Sequence, residues 1–159
     1  MTNFVIRNAV IADYPAICAL YGEFDTYHLD GVPHIFAPVA DPARTRKVVQ
    51  AALDDPNQAL LIAQFAERII GLLRISFRDR EPPFVLKRIA VVEEVIVTSN
   101  ERGAGVGREF LMKAQELASD HGAVEVWLDV FEFNTLAIGL YESLGYEQVV
   151  RRLRLTLNS

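Results

Sequence analysis

Near residue 100 the chain commits to one kind of turn. Val95-Ile96-Val97 reads as the end of a strand, and the segment from Thr98 to Arg108 places Gly103, Gly105 and Gly107 at alternate positions. An amphipathic run opens at Val106. Glycines at this density allow positive φ and let the backbone come close to a ligand. A helix that starts here offers unpaired N–H groups and the positive end of its dipole, which together form an anion site. Arg102 and Arg108 add guanidinium forks that suit phosphate oxygens. A pyrophosphate fits Arg102-Gly103-Ala104-Gly105-Val106-Gly107-Arg108 physically. A plain strand-to-helix turn fits too, but that reading weakens when three glycines alternate between two arginines. The dinucleotide fingerprint needs Gly-x-Gly-x-x-Gly, which is absent, although Asp129 lies about where a ribose-binding acid would. A P-loop would need Gly-Lys-Ser/Thr.

The rest of the chain sorts by periodicity. Phe4 to Arg7 is a short strand. Asp13 caps a helix whose core face is Ile17, Leu20, Tyr21 and Phe24. Leu29 to Val39 is a loop, and Asp41-Pro42 opens a second helix. Ala59–Phe65 and Ile69–Phe77 form a hairpin, and Val85 to Val97 is a strand long enough to bend midway. Val106, Phe110, Leu111, Ala114, Leu117 and Ala118 mark one face of the helix after the glycines. Val124–Val130 is a strand, Asn134 caps a short helix ended by Gly145, and Leu153, Leu155 and Leu157 alternate as in a half-buried final strand. The expected order is β-α-α-β-β-β-α-β-α-β, an α+β chain of mixed sheet and helices in a single domain.

Composition excludes several classes. With 159 residues, 51% apolar and 23% charged, the chain carries enough hydrophobic surface for its own core. A formal charge of −5 argues against a nucleic-acid binder. One cysteine, Cys18, suggests a reducing compartment, and no signal peptide or 18-residue apolar run is read, so a cytoplasmic chain off the membrane is expected. His28, His34, Asp25 and Asp30 match no familiar metal-ligand spacing, so no metal is expected.

Two motifs in order resemble the GNAT superfamily of N-acetyltransferases. Arg102-x-x-Gly105-x-Gly107 is similar to its acyl-CoA pyrophosphate motif, and the block from Asn134 through Ala137 and Leu140-Tyr141 to Gly145-Tyr146 is similar to its later conserved block. The likeness is best from Val91 to Tyr146, where it looks most like the ribosomal-protein N-terminal alanine acetyltransferases. The resemblance implies a largely antiparallel mixed sheet flanked by helices. It also implies an acetyl-CoA site in a gap between the strands Val91–Val97 and Val124–Val130. The backbone of Val95, Ile96 and Val97 would pair with the pantetheine arm, Gly103 to Arg108 would hold the pyrophosphate, and Asn134 would touch the cofactor further along. Ser99 stands where the family often has proline. An amine acceptor and acetyl-CoA are the implied partners, and a homodimer is compatible with them.

Acetyl transfer from a thioester to an amine needs a proton taken from the amine and one given to the thiolate. The resemblance implies Tyr141 as the acid, although its spacing with Ala137 and Leu144 also suits packing. Glu93, Glu94 and Asp129 compete as base. Successive strand residues face opposite sides, so Glu93 and Glu94 cannot both meet the substrate. Asp129 and Glu94 stand above Glu93, and Asp129, standing where the resembling enzymes carry a glutamate, suits a water relay. On the acceptor side, Tyr21, Glu23, Asp25 and His28 offer acids and aromatic rings to a cationic amine or peptide amino terminus; a solvated helix face explains the same acids. A silent acyl-CoA-binding module and a nucleotide-binding oxidoreductase are the competing readings.

Overall fold

In the computed structural model, which describes residues 3–157, the chain divides into two compact units, Met1–Asp129 and Val130–Ser159. The first holds β1 (Val5–Asn8), α1 (Tyr14–Gly31), α2 (Arg46–Asp54), β2 (Gln58–Phe65), β3 (Arg68–Asp79), β4 (Arg88–Val97), α3 (Val106–Asp120) and β5 (Glu125–Leu128). The second holds α4 (Thr135–Ser143). No helix of the described residues is long and apolar enough to cross a membrane.

The expected hairpin is the centre of the first unit. β2 and β3 pair antiparallel from Gln58↔Ser76 to Phe65↔Arg68, with Ala66 in the left-handed region at the turn (φ 52°). The sheet order is β1-β2-β3-β4-β5; every pair is antiparallel except β4 with β5. Leu60, Ile62, Leu72 and Ile96 point to one face, where Ile17, Leu20 and Tyr21 of α1 and Val49 of α2 cover them. Residue 71 faces the other way, towards Phe110 and Val106 of α3. The two helical layers therefore lie on opposite faces of the sheet.

The long strand bends where the sequence allowed it. Arg74 pairs with Glu94 and Ile75 with Val92, so Glu93 is the extra residue of a β-bulge. The β4–β5 pairing is parallel and brief, from Ile89↔Glu125 to Val92↔Leu128. β4 then continues through residues 93–97 with β3 alone.

Three expectations need correction. α1 runs on to Gly31, into the segment expected to be loop. α2 starts after Thr45 and not at Asp41-Pro42: the Thr45 hydroxyl accepts from Val48 N–H at 3.4 Å, and Arg44 beside it is anchored on Asp25 of α1. The final strand does not form. Leu153, Leu155 and Leu157 are more than 80% exposed, and residues 147–157 have no regular structure. The alternation specifies two faces of a strand but supplies no partner, and among its described residues the second unit contains no other strand to receive it. The cap expected of Asp13 is also different in kind. Its carboxylate accepts from Val10 N–H at 2.8 Å and from both Arg7 terminal nitrogens at 2.9 Å, and the Arg7 guanidinium holds it below its ordinary pKa.

Candidate active site

The strand, the turn and the helix after it make one continuous surface. Gly103 and Gly105 adopt φ of 82° and 88°, and Gly105 is the N-cap of α3. The first-turn N–H groups of a helix lack intrahelical acceptors, so the α3 start presents donors. Ala104 N–H donates to Glu101 at 3.3 Å, which keeps the turn tight. Arg102 lies over the Tyr27 ring at 4.8 Å and donates through Nε to the Val97 carbonyl at 3.2 Å. Arg108 is exposed on the first turn of α3. Glu23 of α1 accepts from Thr98 Oγ1 at 2.9 Å and from Ser99 N–H at 3.2 Å, so its carboxylate braces the turn.

Beside β4, a second arrangement is almost fully self-paired. Glu94 takes a two-pronged contact from Arg74, with Nε to Oε2 at 2.6 Å and a terminal nitrogen to Oε1 at 2.8 Å. Tyr21 donates its hydroxyl to Oε2 at 3.2 Å. The third Arg74 nitrogen reaches Gln58 at 3.0 Å. Arg44 stacks over the Tyr21 ring at 4.4 Å and grips both oxygens of Asp25 at 2.7 and 3.1 Å. Burial and the Glu94 charge push the Tyr21 phenol far above its ordinary value, and Glu94 raises Arg74. Tyr21, Arg44, Arg74 and Glu94 line a cavity of about 330 Å³ together with α2. The structure thus brings Tyr21 and Glu94 together, with Asp25 held behind Arg44. His28 is buried apart from them, its Nδ1 2.8 Å from the Phe24 carbonyl oxygen.

Arg74 and Arg44 were invisible as site residues in the sequence. The signal for Arg74 is the strand register: it stands opposite Glu94, and cross-strand opposite charges pair. Glu93, displaced by the bulge, accepts from Ser76 Oγ at 2.6 Å and is exposed. Asp129 follows β5 directly and is exposed, lining a small hollow with Arg78, Arg80 and Trp127.

In the second unit, Asn134 caps α4 by accepting from Ala137 N–H at 3.3 Å. Tyr141 lies on α4 with its ring 5.9 Å from that of Tyr146, whose backbone N–H closes the helix end on the Tyr141 carbonyl at 3.1 Å. Burial, reinforced by the Tyr146 phenol, pushes Tyr141 up to about 12.

Comparison with known proteins agrees with this geometry. A Bacillus subtilis protein described as the uncharacterized N-acetyltransferase YhfO is 27% identical over 146 residues, spanning 90% of this chain and 89% of its own. A mutant of the BH1408 protein from Bacillus halodurans has the same fold, with a TM-score of 0.91, 24% identity and coverage of 97% and 99%. The aminoglycoside N-acetyltransferase AAC(6')-Iy, solved in complex with CoA, superposes with a TM-score of 0.75 at 19% identity over 99% of this chain and 96% of its own. The acetyltransferase (GNAT) family profile matches residues 19–146, most of the chain, so the chain belongs to that family and is an N-acetyltransferase.

Proposed function

We infer that this chain moves an acetyl group from acetyl-CoA to a primary amine, both bound at once. One observation carries the reading: β4 extends through residues 93–97 beyond its last pairing with β5 and then enters the positive-φ glycines and the α3 start. An extended amide-bearing arm can pair with that strand as an added strand would, and a diphosphate fits the donors and arginines of the turn. The residues present therefore fit acetyl-CoA, which supplies an activated acyl carbonyl when bound. Backbone groups of Val95, Ile96 and Val97 would hold the pantetheine arm, and Gly103 to Arg108 the diphosphate. Asn134 would add a contact further along.

The chain's own groups then handle two protons. Asp129, exposed beyond the end of β5, takes the proton from the acceptor ammonium directly or through water. Glu94 accepts twice on Oε2 and once on Oε1, from Arg74 and Tyr21, which leaves one direction on Oε1 for orienting an N–H. Tyr141 gives its phenolic proton to the departing thiolate, and the second proton that the nitrogen loses on becoming an amide returns to the phenolate. Glu23 and Asp25, engaged with Thr98 and Arg44, brace the site from α1.

Release of free CoA over a panel of amines and peptides tests the reading; the absence of amine-dependent release from a folded, acetyl-CoA-binding protein would overturn it. The turn has its own test. A Cβ on Gly105 would meet nothing within 4 Å, but φ of 88° is strained for any L side chain, at about 1–3 kcal/mol. Gly105→Val should therefore raise the acetyl-CoA Kd about tenfold in calorimetry, equivalent to about 1.4 kcal/mol. An unchanged Kd in the folded variant would remove the turn from the cofactor site.

A further inference from the structure

The cavity under α2 has its charges matched internally, but the hollow at the end of the β4–β5 pairing does not. This hollow, of about 90 Å³, is lined by the paired residues Val91 and Trp127 and by Leu128, where the pairing ends, together with Arg78, Arg80 and Asp129. Arg80 lies 4.2 Å from the Trp127 ring centre and 4.8 Å from that of Phe84. Two aromatic faces hold its guanidinium and leave the N–H groups at its edge for another acceptor. The charges nearby are occupied elsewhere. Glu125 pairs with Lys87 and accepts from Trp127 Nε1 at 2.8 Å, and Asp79 pairs with Arg88 at 3.4 Å. Among the described residues, the side chains of Arg78, Arg80 and Asp129 have no hydrogen bond or ion pair. Two cations and one anion thus line one hollow with no hydrogen bond or ion pair from their side chains, although the Glu125 charge also reaches Arg80.

We propose that this hollow is the acceptor's recognition site and selects amines that also carry an oxyanion, a carboxylate or a phosphate, with the anion on Arg78 and Arg80 and the ammonium on Asp129. This rests on the acetyl-transfer reading for the fate of the amine, but not for binding. An acceptor with only positive charge would leave both guanidiniums unpaired and meet their repulsion. A zwitterionic acceptor matches all three groups, and the planar arginine fork suits either oxyanion. The substrate class is therefore an amino acid, an amino-terminated peptide with a nearby carboxylate, or an amino phosphate, in preference to a simple polyamine.

Trp127 is the chain's only tryptophan, so its fluorescence reports occupation of the hollow without turnover. Two matched pairs separate the contributions: L-lysine against cadaverine for the carboxylate, and O-phosphoethanolamine against ethanolamine for the phosphate. In low salt, at least one oxyanion-bearing member should give a saturable change with a Kd at least tenfold below that of its purely cationic partner, and the pair that shows it identifies the oxyanion. Arg78→Gln, an exposed substitution, should weaken that oxyanion-bearing member about tenfold and cause no loss for the purely cationic one. In the thiol-release assay the same variant should raise KM for the oxyanion-bearing amine with kcat preserved. Equal affinities within both pairs, no fluorescence response, or an equal loss for both members in Arg78→Gln overturns the proposal. Selective binding without any CoA release would instead retain the hollow and count against the transfer reading.

Discussion

Tyr141→Phe should lower kcat by about 10²- to 10⁴-fold, the range for loss of a positioned proton donor, with acetyl-CoA affinity and thermal midpoint close to those of the parent. The substitution keeps the ring beside Tyr146 and removes only the hydroxyl. The raised pKa of about 12 adds a second expectation, in pH. An ordinary phenol ionises near 10, so a donor with that value would be lost above it, whereas Tyr141 stays protonated towards 12. The acid-dependent step should therefore show no decline on passing pH 10. Stability moves the opposite way. Between about 10 and 12 the native state binds a proton that the unfolded chain has released, so this contribution is complete below 10 and is lost as pH rises through the window. Tyr21, shifted in the same direction by burial and Glu94, widens it. Rates measured from pH 7 to 11, with urea midpoints on the same samples, check both. Full activity in the phenylalanine variant would leave Tyr141 as a packing residue.

Gly71→Val should give the largest loss of stability on the cofactor side, about 3 kcal/mol, at the upper end of the usual overpacking range. A Cβ at Gly71 would sit 2.8 Å from the Ile96 carbonyl oxygen, 2.8 Å from the Phe110 ring and 3.3 Å from Val106. The first is backbone in the next strand and cannot rotate away. Phe110 is fully buried, and Val106 opens α3. The strain must therefore move the start of α3 relative to β4, so acetyl-CoA affinity should fall along with the urea midpoint. Gly71→Ala should show the same pattern at about 1–2 kcal/mol. A valine variant with a parental midpoint would mean that α3 is free to slide on the sheet.

Much of this was legible because the informative signals are local. Two β-rich runs about a three-residue turn marked the hairpin, the 3.6-residue period marked α1 and α3, and the spacing from Arg102 to Gly107 followed by the Asn134–Tyr146 block pointed to the family. What stayed hidden depends on register and partners. Arg74 and Glu94 are 20 positions apart, and only the bulge at Glu93 brings them opposite each other. Glu23 and Asp25 read as acids offered to a ligand, but Thr98 and Arg44, far along the chain, already occupy them. The start of α2 was misplaced because Asp41-Pro42 and Thr45-Arg46 both resemble helix openings, and an anchor on α1 decides between them. The tail shows a limit of a different kind: alternating leucines describe a strand's faces but not its neighbour. Gly71 gave no cue, since a glycine within a strand can mark a bulge, a bend or a close approach alike.

The open side of β4 bears on how this protein behaves without its ligand. A strand with unpaired backbone groups normally invites another chain to aggregate along it, and proteins usually defend such rims with charge, brevity or a covering element. Here the open stretch, residues 93–97, begins directly where the four-residue pairing with β5 ends at Val92. A single extended arm laid along that stretch would satisfy its open backbone groups as an added strand does. The backbone groups that would otherwise invite aggregation are the ones that the proposed function gives to the acyl-CoA arm.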